Sequence, residues 1–250
     1  MHVTPQESLK PLPQGEHCLE ETKNRNRNKE TMSKKNELTE APTTSLATSA
    51  ISDTLDQSDI DIPRVNVVQK TSDITGPDGN PAPYGSLVLD KRIILAGPEE
   101  PIQVVPLSAN KAWREDVPFD SDDIPRIANS QEEKAQLSLD SEYPILEFAE
   151  ITLLFKSSAD GDPDSFPFPL GKSHYALGRI NTAKDAYRQT FKRLATFAVF
   201  NKKTPIHTRL WNFQSTAITR GKYSWFAPSL TITQDEPSEE VNDFISNFLG

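Results

Sequence analysis

The chain has 250 residues and a net charge of −9, enough length for one large domain or two small ones. Its 20 prolines and 35% hydrophobic content exclude a chain packed from end to end. A single cysteine, Cys18, excludes an internal disulfide and a multi-cysteine zinc site.

No apolar run approaches the roughly 18 residues needed to cross a bilayer. The opening HVTP at residues 2–5 lacks the basic start and apolar core of a secretory signal. A cytoplasmic protein that contacts no membrane is therefore expected. The charge is unevenly divided: −3 over residues 1–60, −11 over 61–170, +10 over 171–230 and −5 over 231–250. That asymmetry points to one basic binding face with acidic segments able to compete for it.

Residues 1–60 lack aromatics and read as a disordered polar tail. Their basic run KNRNRNK at 23–29 is flanked by Glu20, Glu21 and Glu30, so it reads as solvated chain. Order is expected from Asp61, with strands over 64–70, 86–95 and 102–107 separated by proline- and glycine-rich turns. The acidic stretch 115–142 is expected to hold a short helix over 131–139. Its FDSDDIP at 119–125 has the look of a partner-recruiting acidic tail but is internal, so a surface loop is expected. A central strand follows over 145–155.

Two sequence patterns in the next loop fail on inspection. Asp160, Asp162 and Asp164 begin like a calcium loop, but Ser165 replaces the required glycine and Gly171 the bidentate glutamate. GKS at 171–173 is no phosphate loop, because Phe166 stands where the first glycine belongs.

Residues 171–230 carry eleven basic side chains against one acid, Asp185, with ten aromatics threaded among them. A strand is expected over 174–180, then a helix near 183–198 capped by Asn181 or Thr182. Lys184, Arg188 and Lys192 lie four apart and form a basic stripe on that helix. Beyond a turn at 201–205, Arg209, Trp211 and Phe213 alternate onto one strand face. After Arg220-Gly221-Lys222, Tyr223 and Trp225 do the same. If these strands pair, an aromatic surface edged by cations results, and positive charge among flat side chains suits single-stranded nucleic acid. Core packing is the competing explanation for each aromatic taken singly.

The expected nucleic-acid-binding set is Arg179, Lys184, Arg188, Lys192, Arg193, Lys202, Lys203, Arg209, Trp211, Phe213, Arg220, Lys222, Tyr223 and Trp225. An acidic tail closes the chain. Asp235, Glu236, Glu239, Glu240, Asp243, Phe244 and Phe248 are its expected partner-binding residues. Folding against the basic groove and docking on its own domain as a short amphipathic helix are the alternatives.

The organisation of 61–250 resembles single-stranded DNA-binding proteins of tailed phages: strands, a helix at 183–198, aromatic strands, then the tail at 235–249. IPRVNVVQ at 62–69 and LGRINTAK at 177–184 also look like parts of phage-encoded proteins. The resemblance implies a mainly β fold with one main α-helix, an OB-like Greek-key barrel over 61–233, with a disordered N-terminal tail and an acidic C-terminal tail over 234–250. It implies binding to single-stranded DNA with little sequence preference, in replication or recombination, with partner proteins recruited through the tail and a homodimer left open.

No cofactor, metal or catalytic residue is expected. His174 and His207 lie in no zinc spacing and beside no nucleophile. Glu147 and Glu150 are the remaining candidates for a Mg²⁺-dependent nuclease, and they lack the accompanying lysine at nuclease-like spacing. A virion structural or assembly protein is the third class.

Overall fold

The computed structural model describes residues 61–76, 79–118, 120–157, 164–202 and 204–249. The expected tail over 1–60 lies outside them, as do Phe119, Asp160, Asp162 and Lys203.

The first layer is a three-stranded antiparallel sheet of β1 (Val65–Val67), β2 (Leu87–Leu89) and β3 (Ile93–Ala96). One strand was expected over 86–95. Asp90 and Lys91 instead take φ of 49° and 57° and fold it into a hairpin. Leu89 stands opposite Ile93, so the connection is three residues, and Arg92 N–H donates to Leu89 O at 3.1 Å across the left-handed pair; Asp-Lys announces such a turn more weakly than Asp-Gly.

The main sheet has seven strands and curls into a half-barrel. Its strands are β4 (Ile102–Glu115), β5 (Ile127–Ala128), β6 (Ile145–Lys156), β7 (Phe168–Leu170), β8 (Ser173–Ala183), β9 (Trp211–Arg220) and β10 (Tyr223–Ile232). Their order is β10-β9-β4-β6-β8-β7, all antiparallel neighbours, with β5 on the far end of β4. A register shift between Pro106 and Ser108 bends β4. Its first residues pair with β9 and the remainder with β6, which is how a bulged strand turns a corner.

Both faces of this sheet are covered, so β6 is buried at every position from Ile151 to Phe155. Ala149, Ile151, Leu153 and Phe155 point inward with Trp211, Phe213, Leu230 and Leu194, whereas Leu154 joins Tyr175, Leu177 and Val105 on the outer face. The small sheet closes over the inner face. Gly178 permits this: a Cβ there would lie 2.8 Å from Leu89 Cδ1 and 2.9 Å from Val65 Cγ2.

Of the helices, α1 (Gln131–Asp140) matches its expectation. Ser130 Oγ accepts from Glu133 N–H at 3.1 Å, and Glu133 reaches back to Asn129 N–H at 2.7 Å, a variant of the capping box. The helix expected over 183–198 is two, α2 (Lys184–Gln189) and α3 (Phe191–Phe200). Thr190 breaks it with φ −117° and ψ −82°, and its hydroxyl donates to Ala186 O at 2.7 Å. A β-branched residue bonding back to the preceding turn competes with helix propagation. Neither proposed cap acts, because Asn181 and Thr182 belong to β8 and Ala183 occupies the cap position.

The acidic segment expected as a tail is not free where it is described. Residues Glu239–Leu249 form α4, whose Val241 and Ile245 are fully buried against the outer face of the main sheet. Phe244 packs 5.2 Å from Phe168, and Phe248 stacks on Phe244 at 6.0 Å. Val241, Phe244, Ile245 and Phe248 recur at helical spacing, and burying that stripe holds the helix down.

Candidate functional site

The β9–β10 register decides what the aromatic residues do. Trp211 pairs with Ile232 and Phe213 with Leu230, while Ile218 pairs with Trp225 and Arg220 with Tyr223. Directly opposed residues share a face, so the first two pairs lie on one face and the last two on the other. The four aromatics therefore do not form one platform. Trp211 and Phe213, 2% and 0% exposed, are core. Trp211 meets Phe197 edge-on at 5.6 Å and donates its indole N–H to Ile206 O at 3.3 Å, and Phe213 meets Phe155 at 5.7 Å. Neither ring has a free face for a base, which corrects the stacking role expected of them.

Tyr223 and Trp225 sit at the other end of the hairpin. Tyr223 is 65% exposed, and Trp225 is half-buried. Lys222 Nζ lies 5.3 Å from the Tyr223 ring and the Arg220 guanidinium 5.8 Å from the Trp225 ring, both within cation–π reach. Gly221, with φ 59°, makes the turn that presents them. Asp185 at the start of α2 accepts from Arg220 at 2.7 Å and also from Arg188. The sole acid of the basic block is thus the point on which two arginines converge. Lys184 lies beside them and pairs with Asp116 at 2.9 Å.

The tip overlooks a 390 Å³ cleft lined by Trp225, Lys184, Asp185, Asn181, Asn66 and Gln69, among others. It marks the seam between β8 and β10. Gln69, just past β1, lies against the edge of β10: its side-chain amide donates to Phe226 O at 2.8 Å, and its oxygen accepts from Phe226 N–H at 3.2 Å.

The remaining cations scatter. Lys192 lies 6.0 Å from the Tyr187 ring and contributes to lowering the Glu147 carboxyl. Arg193 donates to Leu230 O at 2.6 Å. Arg209 pairs with Glu236 at 3.0 Å and donates to Gln234 O at 3.1 Å. Arg179 lies on β8 between Asp61 at 3.3 Å and Glu150 at 4.0 Å. Lys202 is exposed in the turn after α3. The structure thus brings together Lys184, Arg188, Arg220, Lys222, Tyr223 and Trp225, and separates Arg179, Lys192, Arg193, Lys202 and Arg209 from them.

The acidic tail is likewise engaged on its own domain. Asp235 O accepts from Leu210 N–H at 2.9 Å. Glu240 lies against Gly171, with its carboxyl lowered first by its own backbone N–H, then by Ser238 and the charge of Lys172. Glu239 and Asp243 remain exposed.

Sequence reasoning passed over a lobe formed by β5 and α1 at the end of β4. Trp113, Ala128 and Leu137 are its core, and Lys111 and Lys134 stand 5.0 and 5.4 Å from the Trp113 ring. Glu115, 4% exposed, accepts from Arg126 at 2.7 Å and Ser141 at 2.5 Å. These bonds, the Arg126 side chain first, hold its carboxyl at a pKa of about 2. Long-range pairing created this lobe, and no local motif announced it.

The two carboxylates considered for Mg²⁺ are both taken. Glu147 accepts from Lys111 at 2.5 Å, chiefly lowering its carboxyl, and Glu150 sits by Arg179. Three positions apart on β6, they face opposite ways. Among the described residues, no group of three or more His, Cys, Asp or Glu side chains is placed to hold a metal, and no helix is long and apolar enough to cross a membrane. No protein family, curated protein or solved structure matches the chain.

Proposed function

We propose that this protein binds single-stranded DNA without much sequence preference, through the tip of the β9–β10 hairpin and the neighbouring start of α2. The supporting observation is the pair of exposed Tyr223 and half-buried Trp225, held among Arg220, Lys222, Arg188 and Lys184. Flat rings supply stacking worth about 1–3 kcal/mol per base, and cations track the backbone. The domain is an OB-like barrel in this reading. Its five main strands run in the order β10-β9-β4-β6-β8 with α2 and α3 between β8 and β9, and such barrels use the loop between their last two strands for oligonucleotides.

The role is binding and protection of exposed strands in replication or recombination, as the phage-type resemblance implies, not catalysis. Partner proteins meet the exposed acids of α4, Glu239 and Asp243, while Phe244 and Phe248 stay docked on the main sheet. A virion structural role is the alternative, and it predicts no preference for single strands over duplex.

The test is a titration of fluorescein-labelled single-stranded and duplex oligonucleotides at two salt concentrations. Single strands bind more tightly, and the affinity falls steeply with salt. Absence of binding at low salt, or equal binding of duplex, overturns the proposal.

A further inference from the structure

Three cations without an ion pair among the described residues, Arg64, Lys91 and Arg92, lie outside the basic segment of the sequence. Asp90 N–H donates to Arg64 O at 2.9 Å, and this bond brings the β2–β3 turn against the start of β1. Arg179 N–H donates to Pro63 O at 2.9 Å, and Arg64 bridges Arg179, so β8 joins from the other side. Arg64, Lys91, Arg92 and Arg179 thereby converge on a 650 Å³ groove that also includes Asp61 and Asp90.

Arg64, Lys91 and Arg92 are exposed, and none forms an ion pair among the described residues. The Arg179 Nε–H is buried without an acceptor. Like charges gathered from three separate segments repel one another, and a bound polyanion relieves that. Asn66 on β1 lines both this groove and the cleft beneath Trp225. Its side-chain amide makes no hydrogen bond among the described residues. Asn66 is thus the residue that the two cavities share.

We infer that they form one track, along which a nucleic-acid strand leaves Trp225, crosses Asn66 and lays its phosphates on Arg64, Lys91 and Arg92. This rests on the proposal that the hairpin tip binds single strands. The tip supplies the stacking and the groove supplies charge, so the two ends have separable signatures. Removing groove cations weakens binding at low salt and flattens its salt dependence, and leaves the stacking on Trp225 in place.

The experiment compares the full chain with Arg64→Gln/Lys91→Gln/Arg92→Gln, titrating a fifteen-nucleotide oligothymidylate across a salt series. Each phosphate contact on a single strand contributes about 0.7 to the slope of log affinity against log salt, so the triple variant loses about 2 from that slope. Its quenching of tryptophan emission at saturation persists. Lys91→Gln/Arg92→Gln, confined to an exposed turn, loses about 1.4 and serves if the triple variant fails to fold. An unchanged slope in a folded variant, with binding still weakened by Trp225→Ala, overturns the track and leaves the tip proposal standing. A wild-type chain that binds no oligothymidylate at low salt overturns both.

Discussion

The two ends of the β9–β10 hairpin contain the same kinds of residue and put them to opposite uses. At the base, Trp211 and Phe213 are sealed under Phe197 and Phe155. At the tip, Tyr223 and Trp225 stand among cations with their rings at least partly open to solvent. Two things separate them. The register places them on different faces, and α3 covers only the base. An aromatic residue's role here follows from its strand partner and the element laid over it, not from its neighbours in sequence.

Substitutions at the two ends sharpen that contrast. Trp211→Ala is expected to cost about 3–5 kcal/mol of stability, since it empties a fully buried site and releases an indole hydrogen bond; chemical denaturation measures this, and a loss under about 1 kcal/mol breaks the assignment to core. Gly85→Ala probes the middle of the hairpin, because Gly85 has φ 95° and a Cβ there would fall 2.8 Å from the Phe226 ring. Strain plus overpacking predicts a loss of about 1–3 kcal/mol, seen as a lowered melting temperature. At the tip, Trp225→Ala is expected to cost about 1–3 kcal/mol of oligonucleotide affinity and little stability; equal losses in both would return this residue to the core.

The smallest effect belongs to a site remote from the hairpin. Glu115 has its pKa lowered from 4.5 to about 2 by Arg126 and Ser141. A depressed carboxyl stabilises the fold above its unfolded pKa, and that contribution disappears as pH falls from about 4.5 through about 2. Glu115→Gln therefore flattens the acid limb of a stability profile in that window. Oligonucleotide binding at neutral pH stays unchanged, which separates effects at the tip from general loosening of the fold.

Strand and helix positions were mostly legible, because alternation and helical spacing are local signals. Thus 145–155 and 131–139 were read nearly as they stand, whereas β4 runs through Glu115, well past its expected end at residue 107. The site was less legible for a physical reason. Net charge per segment says nothing about pairing, and Arg188, Arg209, Arg220, Arg179 and Lys184 each meet an acid brought from elsewhere or from a neighbouring turn. Conversely, Arg64 and Arg92 carry no local signal, since their proximity depends on β1 pairing with β2 and on the Asp90–Arg64 bond that brings the β2–β3 turn alongside. The C-terminal helix stood as one of two stated alternatives, and its apolar stripe at 241, 244, 245 and 248 was the deciding feature.

The Gln69 clamp on Phe226 has a consequence for behaviour in concentrated solution. An uncovered strand edge is a template onto which another chain adds its own strand, and repetition of that step yields fibres. The primary amide of Gln69 presents an N–H and a carbonyl oxygen to Phe226 as a peptide unit would, and occupies the position that an invading backbone would need. A side chain thus ends the ladder without adding a strand, and Gln69→Ala is expected to raise the aggregation rate of the folded protein, measured by light scattering.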